Sequence, residues 1–230
     1  MRHLILLIIS ILSIQLSYSQ INELGVFVGA SNFIGDIGAT DYIAPNQLAI
    51  GGIYKWNRSK RHSYRASIIY TDLKGYDSES DDPRRIQRDY EFSTELIELS
   101  AGMEFTFTDF DLHAGNKIGA PYIYSGITAG YYDNSYFNSA GIQTPEETSS
   151  WAFGIPMALG FKSNFLGNII VGIEVGARYT FTDKLDGSIP NSKALQEQHK
   201  IGNINNNDWY MFTGITLTYT FGENPCYCVE

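Results

Sequence analysis

Residues 167–183, which read GNIIVGIEVGARYTFTD, are predicted to form a β-strand with two chemically different faces. Successive side chains of a strand point to opposite sides, so residues of one parity share a surface. One face is apolar and ends on aromatic residues: Ile169, Val171, Ile173, Val175, Ala177, Tyr179 and Phe181. The other face is mixed, with small and polar residues: Ile170, Gly172, Glu174, Gly176, Arg178, Thr180 and Thr182. The segment is long enough to cross a membrane as a tilted strand, which takes roughly 9–11 residues.

The same alternation recurs along the chain and predicts eight strands. They lie near residues 22–32, 47–56, 62–71, 93–107, 118–131, 150–162, 168–182 and 208–222. Long polar connections (33–46, 72–92, 132–149 and 183–207) alternate with short ones (57–61, 108–117 and 163–167). Outer-membrane barrels have short periplasmic turns and longer external loops. The pattern therefore predicts an all-β fold, an eight-stranded antiparallel transmembrane β-barrel with both termini in the periplasm and four long external loops.

A soluble β-sandwich or a lipocalin-like barrel would also show alternating strands. Glycine on the polar face favours the membrane barrel, because it weakens a solvated strand but suits a narrow eight-stranded lumen. These glycines are Gly25, Gly29, Gly102, Gly126, Gly130, Gly154, Gly160, Gly172, Gly176 and Gly214. The apolar faces of 151–161 and 209–221 carry aromatic residues at their ends, as the girdles of a membrane barrel do. Pro156 cannot donate to a strand ladder, so we expect a local bulge there.

The N-terminal residues have the pattern of a secretory signal peptide: a basic start at Arg2, an apolar run over 4–12, and small residues before position 20. The predicted organisation is a signal peptide over 1–19, the outer-membrane barrel over 20–222, and a periplasmic cysteine-containing tail over 223–230. Without Arg2 the chain carries 15 basic and 25 acidic residues, a net charge of about −10. This balance argues against a nucleic-acid partner, because binding phosphates requires clustered Lys and Arg.

Five charged residues fall on the polar face of the predicted strands and would point into the lumen. They are Arg65, Glu98, Glu104, Glu174 and Arg178. An unpaired buried charge is very unfavourable, so these residues are expected to neutralise one another in a network that fills the barrel. The functional alternative is a path for ions or protons, but a lumen of this size is usually filled.

The sequence contains no pattern that predicts catalysis. Neither a Gly-x-Ser-x-Gly elbow nor an HExxH zinc motif occurs; His62 and His113 fall in or beside predicted periplasmic turns, and His199 falls in a long loop. The acidic stretch 77–82 lacks the glycine and the spacing of a calcium loop and is expected to be a solvated external loop. We therefore expect a protein that is not an enzyme, with no cofactor and no metal.

The two cysteines, Cys226 and Cys228, lie beyond the last predicted strand. One intervening residue strains a mutual disulfide, and two thiolates without a nearby histidine are too few for a metal site. A reversible local disulfide or a bond to another protein remains, and leftover cysteines in a secreted chain favour the second. A basic periplasmic turn with Arg58, Lys60 and Arg61 is a further candidate contact, although solubility or contact with lipid phosphates would explain it equally well.

The segment Asn22-Glu23-Leu24-Gly25, followed by Gly29 and by Asn32-Phe33-Ile34-Gly35-Asp36, resembles the opening of PorG-like proteins. These are small outer-membrane barrels of the type IX secretion system of Bacteroidetes. Their pattern is E-(L/I)-G-x₃-G followed by an aromatic-x-G-D turn, usually with tyrosine where this chain has Phe33. The resemblance extends over nearly the whole mature chain in length and layout. It implies a membrane anchor for the periplasmic ring of the lipoprotein PorK and its partner PorN, and it brings no catalytic residues.

Two functions from different classes therefore follow from the sequence. In the first, an outer-membrane barrel embedded in lipid anchors a periplasmic protein-secretion complex through its short turns and its tail, either non-covalently or through a disulfide. In the second, a surface barrel binds host or matrix ligands through its long loops, such as 183–207. A lipid-modifying enzyme has no supporting set of residues.

Overall fold

The computed structural model describes residues 21–112, 117–203 and 206–222. In this part of the chain eight antiparallel strands form a closed barrel in sequence order, and the last pairs with the first. The strands are β1 (Ile21–Ile34), β2 (Gln47–Asn57), β3 (His62–Tyr76), β4 (Glu91–Thr106), β5 (Gly119–Phe137), β6 (Gln143–Leu166), β7 (Ile169–Thr180) and β8 (Trp209–Phe221). The predicted signal peptide, His113 and the cysteine tail lie outside the described residues.

The long connections contain short helices that the alternation pattern does not reveal. A 3-10 turn (Asp77–Glu79) and helix α1 (Pro83–Arg88) lie between β3 and β4, and helix α2 (Lys193–His199) lies between β7 and β8. None of the described helices is long and apolar enough to cross a membrane. We call the side of the barrel with residues 35–46, 77–90, 138–142, 181–203 and 206–208 the long-loop end. The opposite side, with 58–61, 107–112, 117–118 and 167–168, is the short-turn end.

The predicted fold class and the number of strands are confirmed, but three strands are longer than predicted. β3 continues to Tyr76, β5 continues to Phe137 and β6 begins at Gln143. These extensions are rich in polar residues, which predict loops rather than strands. They remain paired because their inner side packs on an apolar cluster that includes Leu73, Phe92 and Phe137.

The bulge expected at Pro156 is not present. The pairs Ser125–Met157 and Thr128–Gly154 stand in the same register, and near Pro156 the pairing between β5 and β6 is missing at the two positions between them. Proline lacks the N–H that the ladder needs, so the pairing stops locally without a shift. The register shifts that involve β6 lie near its two ends.

The outer face of the barrel is an apolar band with aromatic residues at both edges. Exposed aliphatic residues occupy the middle: Val26, Ile50, Ile68, Leu99, Ile127, Ile155, Ile173 and Ile215. At the long-loop edge, ring contacts join Tyr131 to Trp151 and Tyr179 to Trp209. At the short-turn edge, Trp56 contacts Tyr64. A surface of this kind is suited to contact with lipid hydrocarbon and its two interfaces with water.

Two facing glycines show how narrow the barrel is. Gly102 of β4 is paired with Gly126 of β5. A Cβ atom added to Gly126 would lie 2.1 Å from the Ala101 carbonyl oxygen and 2.5 Å from the Gly102 Cα. Only a residue without a side chain fits at such a close approach of two strands.

Candidate functional site: the lumen and its two ends

The five charges predicted for the lumen are all buried, and four of them form two direct pairs across it. The guanidinium of Arg65 contacts both carboxylate oxygens of Glu174, with Nη2 3.2 Å from Oε1. Nε of Arg178 donates to Glu98 Oε2 at 3.2 Å. Each pair joins β7 to a strand on another side of the barrel, so the network ties the wall together through the lumen.

The fifth charge, Glu104, forms ion pairs with two lysines that were not among the predicted lumen charges. Lys55 Nζ lies 2.7 Å from Glu104 Oε2, and Lys162 Nζ lies 2.6 Å from Oε1. Both lysines occupy inward positions, on β2 and β6, so parity alone would have found them. With Glu23, which accepts hydrogen bonds from Asn57 and Thr218, this part of the described lumen holds four carboxylates and four cations. This layer of the lumen is therefore close to electroneutral.

Aromatic residues complete the network. Tyr122 donates to Glu174 Oε2 at 2.8 Å, and Tyr210 donates to Glu98 Oε2 at 2.6 Å. The guanidinium of Arg65 lies 4.6 Å from the ring centroid of Tyr124. Pairing and hydrogen bonding of this kind offset the large cost of burying these charges.

Apolar side chains close the lumen at both ends. The long-loop end is filled by a large cluster: Phe27, Phe33, Ile37, Leu73, Phe92, Leu96, Tyr132, Phe137, Leu185, Tyr210 and Phe212. The short-turn end is filled by a smaller one: Phe110, Ala120 and Ile170, with Leu112 and Ile118 packed against it. Together with the charged middle layer, these clusters place buried side chains along the length of the described lumen.

The basic turn at the short-turn end is paired with the next turn of the barrel. Lys60 Nζ lies 2.8 Å from Asp111 Oδ2, and Arg61 Nε lies 2.6 Å from Asp109 Oδ1. Of the five residues predicted as partner contacts, the three in this turn, which include the exposed Arg58, thus share a surface with two carboxylates. Exposed ion pairs of this kind contribute little stability.

Carboxylates organise the long-loop end. Asp77 is fully buried, and its oxygens accept hydrogen bonds from Arg88 and from the backbone N–H groups of Gly38 and Tyr90. The expectation that this acidic stretch is a solvated loop is wrong for Asp77. The reason is that tertiary contacts from two other segments, which sequence polarity does not show, supply its donors.

Asp186 has a similar role on the last long loop. Its Oδ2 accepts hydrogen bonds from the backbone N–H groups of Asp36 and Ile37, at 3.0 and 3.2 Å. Burial raises the pKa of Asp186 to about 6. The pKa of Asp82, just before α1, shifts in the opposite direction, because hydrogen bonds from Arg84 lower it.

The two described histidines lie apart from one another and from the lumen charges. His62 begins β3, where its ring centroid lies 5.2 Å from that of Phe105. His199 ends α2 and lies 5.1 Å from the ring of Tyr136. His62 Nδ1 lies 3.2 Å from Ser59 Oγ, but the ion pairs of the described residues join no carboxylate to either histidine, as a Ser–His–acid triad would need.

These features define a class: a small, closed, eight-stranded antiparallel β-barrel with a filled lumen and an apolar outer band. The chain belongs to the family described as Domain of unknown function (DUF6089), whose model matches residues 2–230. No match to a curated protein was found.

Solved structures show what the chain is similar to in outline. The attachment invasion locus protein Ail of Yersinia pestis is 10% identical, with a TM-score of 0.46 over 88% of this chain and 99% of Ail. The N-terminal β-barrel domain of OprF from Pseudomonas aeruginosa is 10% identical, with a TM-score of 0.43 over 89% of this chain and 98% of that domain. Neisserial surface protein A is 10% identical, with a TM-score of 0.40 over 87% and 95% of the two chains.

Proposed function

We propose that this protein is an outer-membrane β-barrel whose task is mechanical: it anchors a periplasmic protein-secretion complex. The observation that carries the proposal is the filled lumen, in which a charge-balanced network lies between two apolar clusters. A barrel filled in this way serves neither as a pore nor as a reaction chamber. Its useful surfaces are the outer band and the two ends.

In the membrane, the apolar band would contact lipid, the short-turn end would face the periplasm and the long loops would lie outside. This orientation follows the usual asymmetry of such barrels, and it places both termini in the periplasm. The aromatic rings at both edges of the band support the membrane position.

The assembly that we propose as partner is the type IX secretion ring formed by a PorK-like lipoprotein and a PorN-like subunit. The support is the resemblance of the β1 segment to PorG-like proteins. In the structure, residues of that segment help to close the barrel: Glu23 accepts hydrogen bonds from Asn57 of β2 and Thr218 of β8. The motif therefore supports a barrel of the same type. The contact with the ring would be made by other residues.

The contact surface that we propose is the short-turn end together with the tail. Its described part is the surface of Arg58, Lys60 and Arg61 with Asp109 and Asp111, which offers both signs of charge. The predicted tail would add Cys226 and Cys228, either through non-covalent packing or through a disulfide to the partner.

The test is co-purification from native membranes prepared without reductant and with free thiols blocked. Deletion of 224–230, or replacement of both cysteines by serine, is compared with a matched deletion at the opposite end, α2 (Lys193–His199). The anchor function predicts that periplasmic components and cargo export are lost only with the tail deletion. Loss of neither, or equal loss with both deletions, would contradict it.

A second function, a surface barrel that binds host or matrix ligands, is favoured by one feature. The extended hairpins β3–β4 and β5–β6 enclose a cleft of about 720 Å³ outside the apolar band. Its polar and aromatic lining includes Tyr76, Asp89, Glu91, Ser93 and Gln143. Under this function, removal of the β5–β6 hairpin tip would abolish adhesion of whole cells and leave co-purification unchanged.

A further inference from the structure

Two aspartates stand where the last long loop leaves the barrel and returns to it. Asp183 follows β7 and Asp208 precedes β8. The backbone joins these two points, because Asp208 N–H donates to the Thr182 carbonyl at 2.9 Å and Thr180 N–H donates to the Asp208 carbonyl at 3.1 Å. Both side chains are buried, with 8% of Asp183 and none of Asp208 exposed.

Three of the four carboxylate oxygens of this pair have no hydrogen-bond partner within the described residues. They are both oxygens of Asp183 and Oδ1 of Asp208. The fourth, Asp208 Oδ2, accepts from the backbone N–H of Leu185 at 2.9 Å. A buried carboxylate without donors is strongly unfavourable, so the site calls for a positive partner.

Two neighbouring carboxylates make the electrostatic potential at this aspartate pair more negative. Burial raises the pKa of Asp183 to about 8, and the carboxylates of Asp36 and Asp186 act in the same direction. Burial together with the Asp186 and Asp183 carboxylates also raises the pKa of Asp208 well above its usual range.

Among the described residues, no Lys or Arg side chain is hydrogen-bonded to Asp183 or Asp208. Lys200 acts in the opposite direction on Asp183, although its side chain is largely exposed. Arg88, from the loop between β3 and β4, donates to Asp77 and to the Asp36 carbonyl. Lys184 donates to Asn191 at 3.0 Å.

We propose that Asp183 and Asp208 form a binding site for a divalent cation that prefers oxygen ligands, with Ca²⁺ as the probe. Calcium takes roughly six to eight oxygens, including main-chain carbonyls and water, in flexible geometry. Among the described residues no group of three or more His, Cys, Asp or Glu side chains is placed to hold a metal ion. The two aspartates therefore supply the protein charge, and carbonyls and water complete the shell.

The cation would fasten both ends of the 181–208 loop to the barrel rim. A Cβ atom added to Gly35 would lie 2.6 Å from Asp208 Oδ1. The first long loop, which contains Gly35, therefore borders the same site. Cation binding would therefore stabilise the closed arrangement of two long loops, independently of any periplasmic partner.

The experiment uses the refolded full-length protein in detergent micelles, freed of metal with chelator and then titrated with CaCl₂ at pH 7.5. Thermal unfolding is followed for the parent protein, for Asp183→Asn, and for Asp81→Asn, an exposed aspartate of another long loop. We expect a saturable rise of the melting temperature with half-saturation between about 0.1 and 1 mM, as in extracellular calcium modules. The rise should be lost in Asp183→Asn and kept in Asp81→Asn.

Terbium luminescence sensitised by Trp209, which follows Asp208 in sequence, gives a second measurement that does not depend on stability. It should appear in the parent protein, compete with Ca²⁺ and vanish in Asp183→Asn. The proposal is overturned if Ca²⁺ has no effect on the parent protein or stabilises Asp183→Asn equally. It is also overturned if Asp183→Asn raises the melting temperature without metal while the parent protein binds no terbium, because the pair would then hold protons.

Discussion

Arg65 and Glu174 form a two-point ion pair in the middle of the barrel although 109 residues separate them in the chain. Arg65 lies on β3 and Glu174 on β7, so their contact passes through the lumen and not along the wall. Both side chains are almost completely buried, and Tyr122 donates a further hydrogen bond to Glu174. The pair therefore fixes the position of two distant strands relative to one another.

Replacement of Glu174 by Gln should destabilise the barrel strongly. The variant keeps the shape of the side chain and an acceptor for Tyr122 but leaves the charge of Arg65 buried without its partner. Removal of one member of a buried ion pair typically lowers the free energy of unfolding by about 3–5 kcal/mol. Urea unfolding in lipid vesicles, followed by Trp fluorescence, measures the change.

Two comparisons make this result specific. Glu197→Gln changes the same chemical group at an exposed position of α2 and should alter the free energy of unfolding by less than about 0.5 kcal/mol. Adding Arg65→Met to Glu174→Gln removes both charges and should recover much of the loss. If the double variant were less stable than the single one, the unpaired charge would not be the cause.

The two lysines that hold Glu104 should show strong coupling. Lys55→Met or Lys162→Met alone leaves the other lysine within 2.7 Å of the carboxylate. Each single change should lower the free energy of unfolding by about 1.5–3 kcal/mol, the size of a charged hydrogen bond. The double change leaves Glu104 without either lysine, so its loss should exceed the sum of the two single losses. A double-mutant cycle in the same unfolding assay measures the coupling, and simple additivity would show that the lysines act separately.

The alternation of inward and outward side chains predicts the barrel wall well and its two ends less well. Because a strand has a strict period of two, Arg65 and Glu174 could be placed on the inner face from sequence alone. The same rule applied to Lys55 and Lys162 would have completed the network. What parity does not give is the pairing, because partners such as Arg178 and Glu98 meet through barrel closure.

The long-loop end was predicted poorly for a physical reason. Asp77 and Asp186 have the composition of exposed loop residues, yet each is buried and accepts hydrogen bonds from segments distant in sequence. Local polarity reports the usual location of a residue type and not its tertiary donors. Pro156 illustrates the same limit, since the barrel tolerates a local gap in pairing where the sequence indicated a bulge.

Gly126→Ala should impair folding, whereas Gly52→Ala should not. A Cβ on Gly126 would overlap the backbone of β4, with the Ala101 oxygen 2.1 Å away, so the strands would have to separate. Overpacking of this kind lowers the free energy of unfolding by about 1–3 kcal/mol. At Gly52 the nearest atom, Ile68 Cγ2, is 3.7 Å away, which is ordinary contact.

The difference in electrophoretic mobility between folded and boiled protein measures the folded fraction after refolding. Gly52→Ala should match the parent protein or exceed it slightly, because glycine loses more conformational freedom than alanine on folding. Equal folded fractions for the two alanine variants would show that the close approach of β4 and β5 relaxes without loss.

An Arg substitution should destabilise the protein on the apolar outer band but not at the long-loop end. Ile127 lies midway along β5 with 72% of its side chain exposed, and Ile142 lies beside the β5–β6 hairpin tip with 62% exposed. An Arg at the bilayer midplane of a membrane barrel lowers the free energy of unfolding by about 2–4 kcal/mol, while one outside the bilayer has little effect. Ile127→Arg should therefore destabilise the protein by that amount in vesicles, and Ile142→Arg should leave the free energy of unfolding close to the parent value.

Equal effects of the two substitutions would mean that the apolar band does not contact lipid. Equality in micelles alone would not decide the matter, because detergent adapts to a charge more readily than a bilayer, so the vesicle measurement is the one that tests the membrane position.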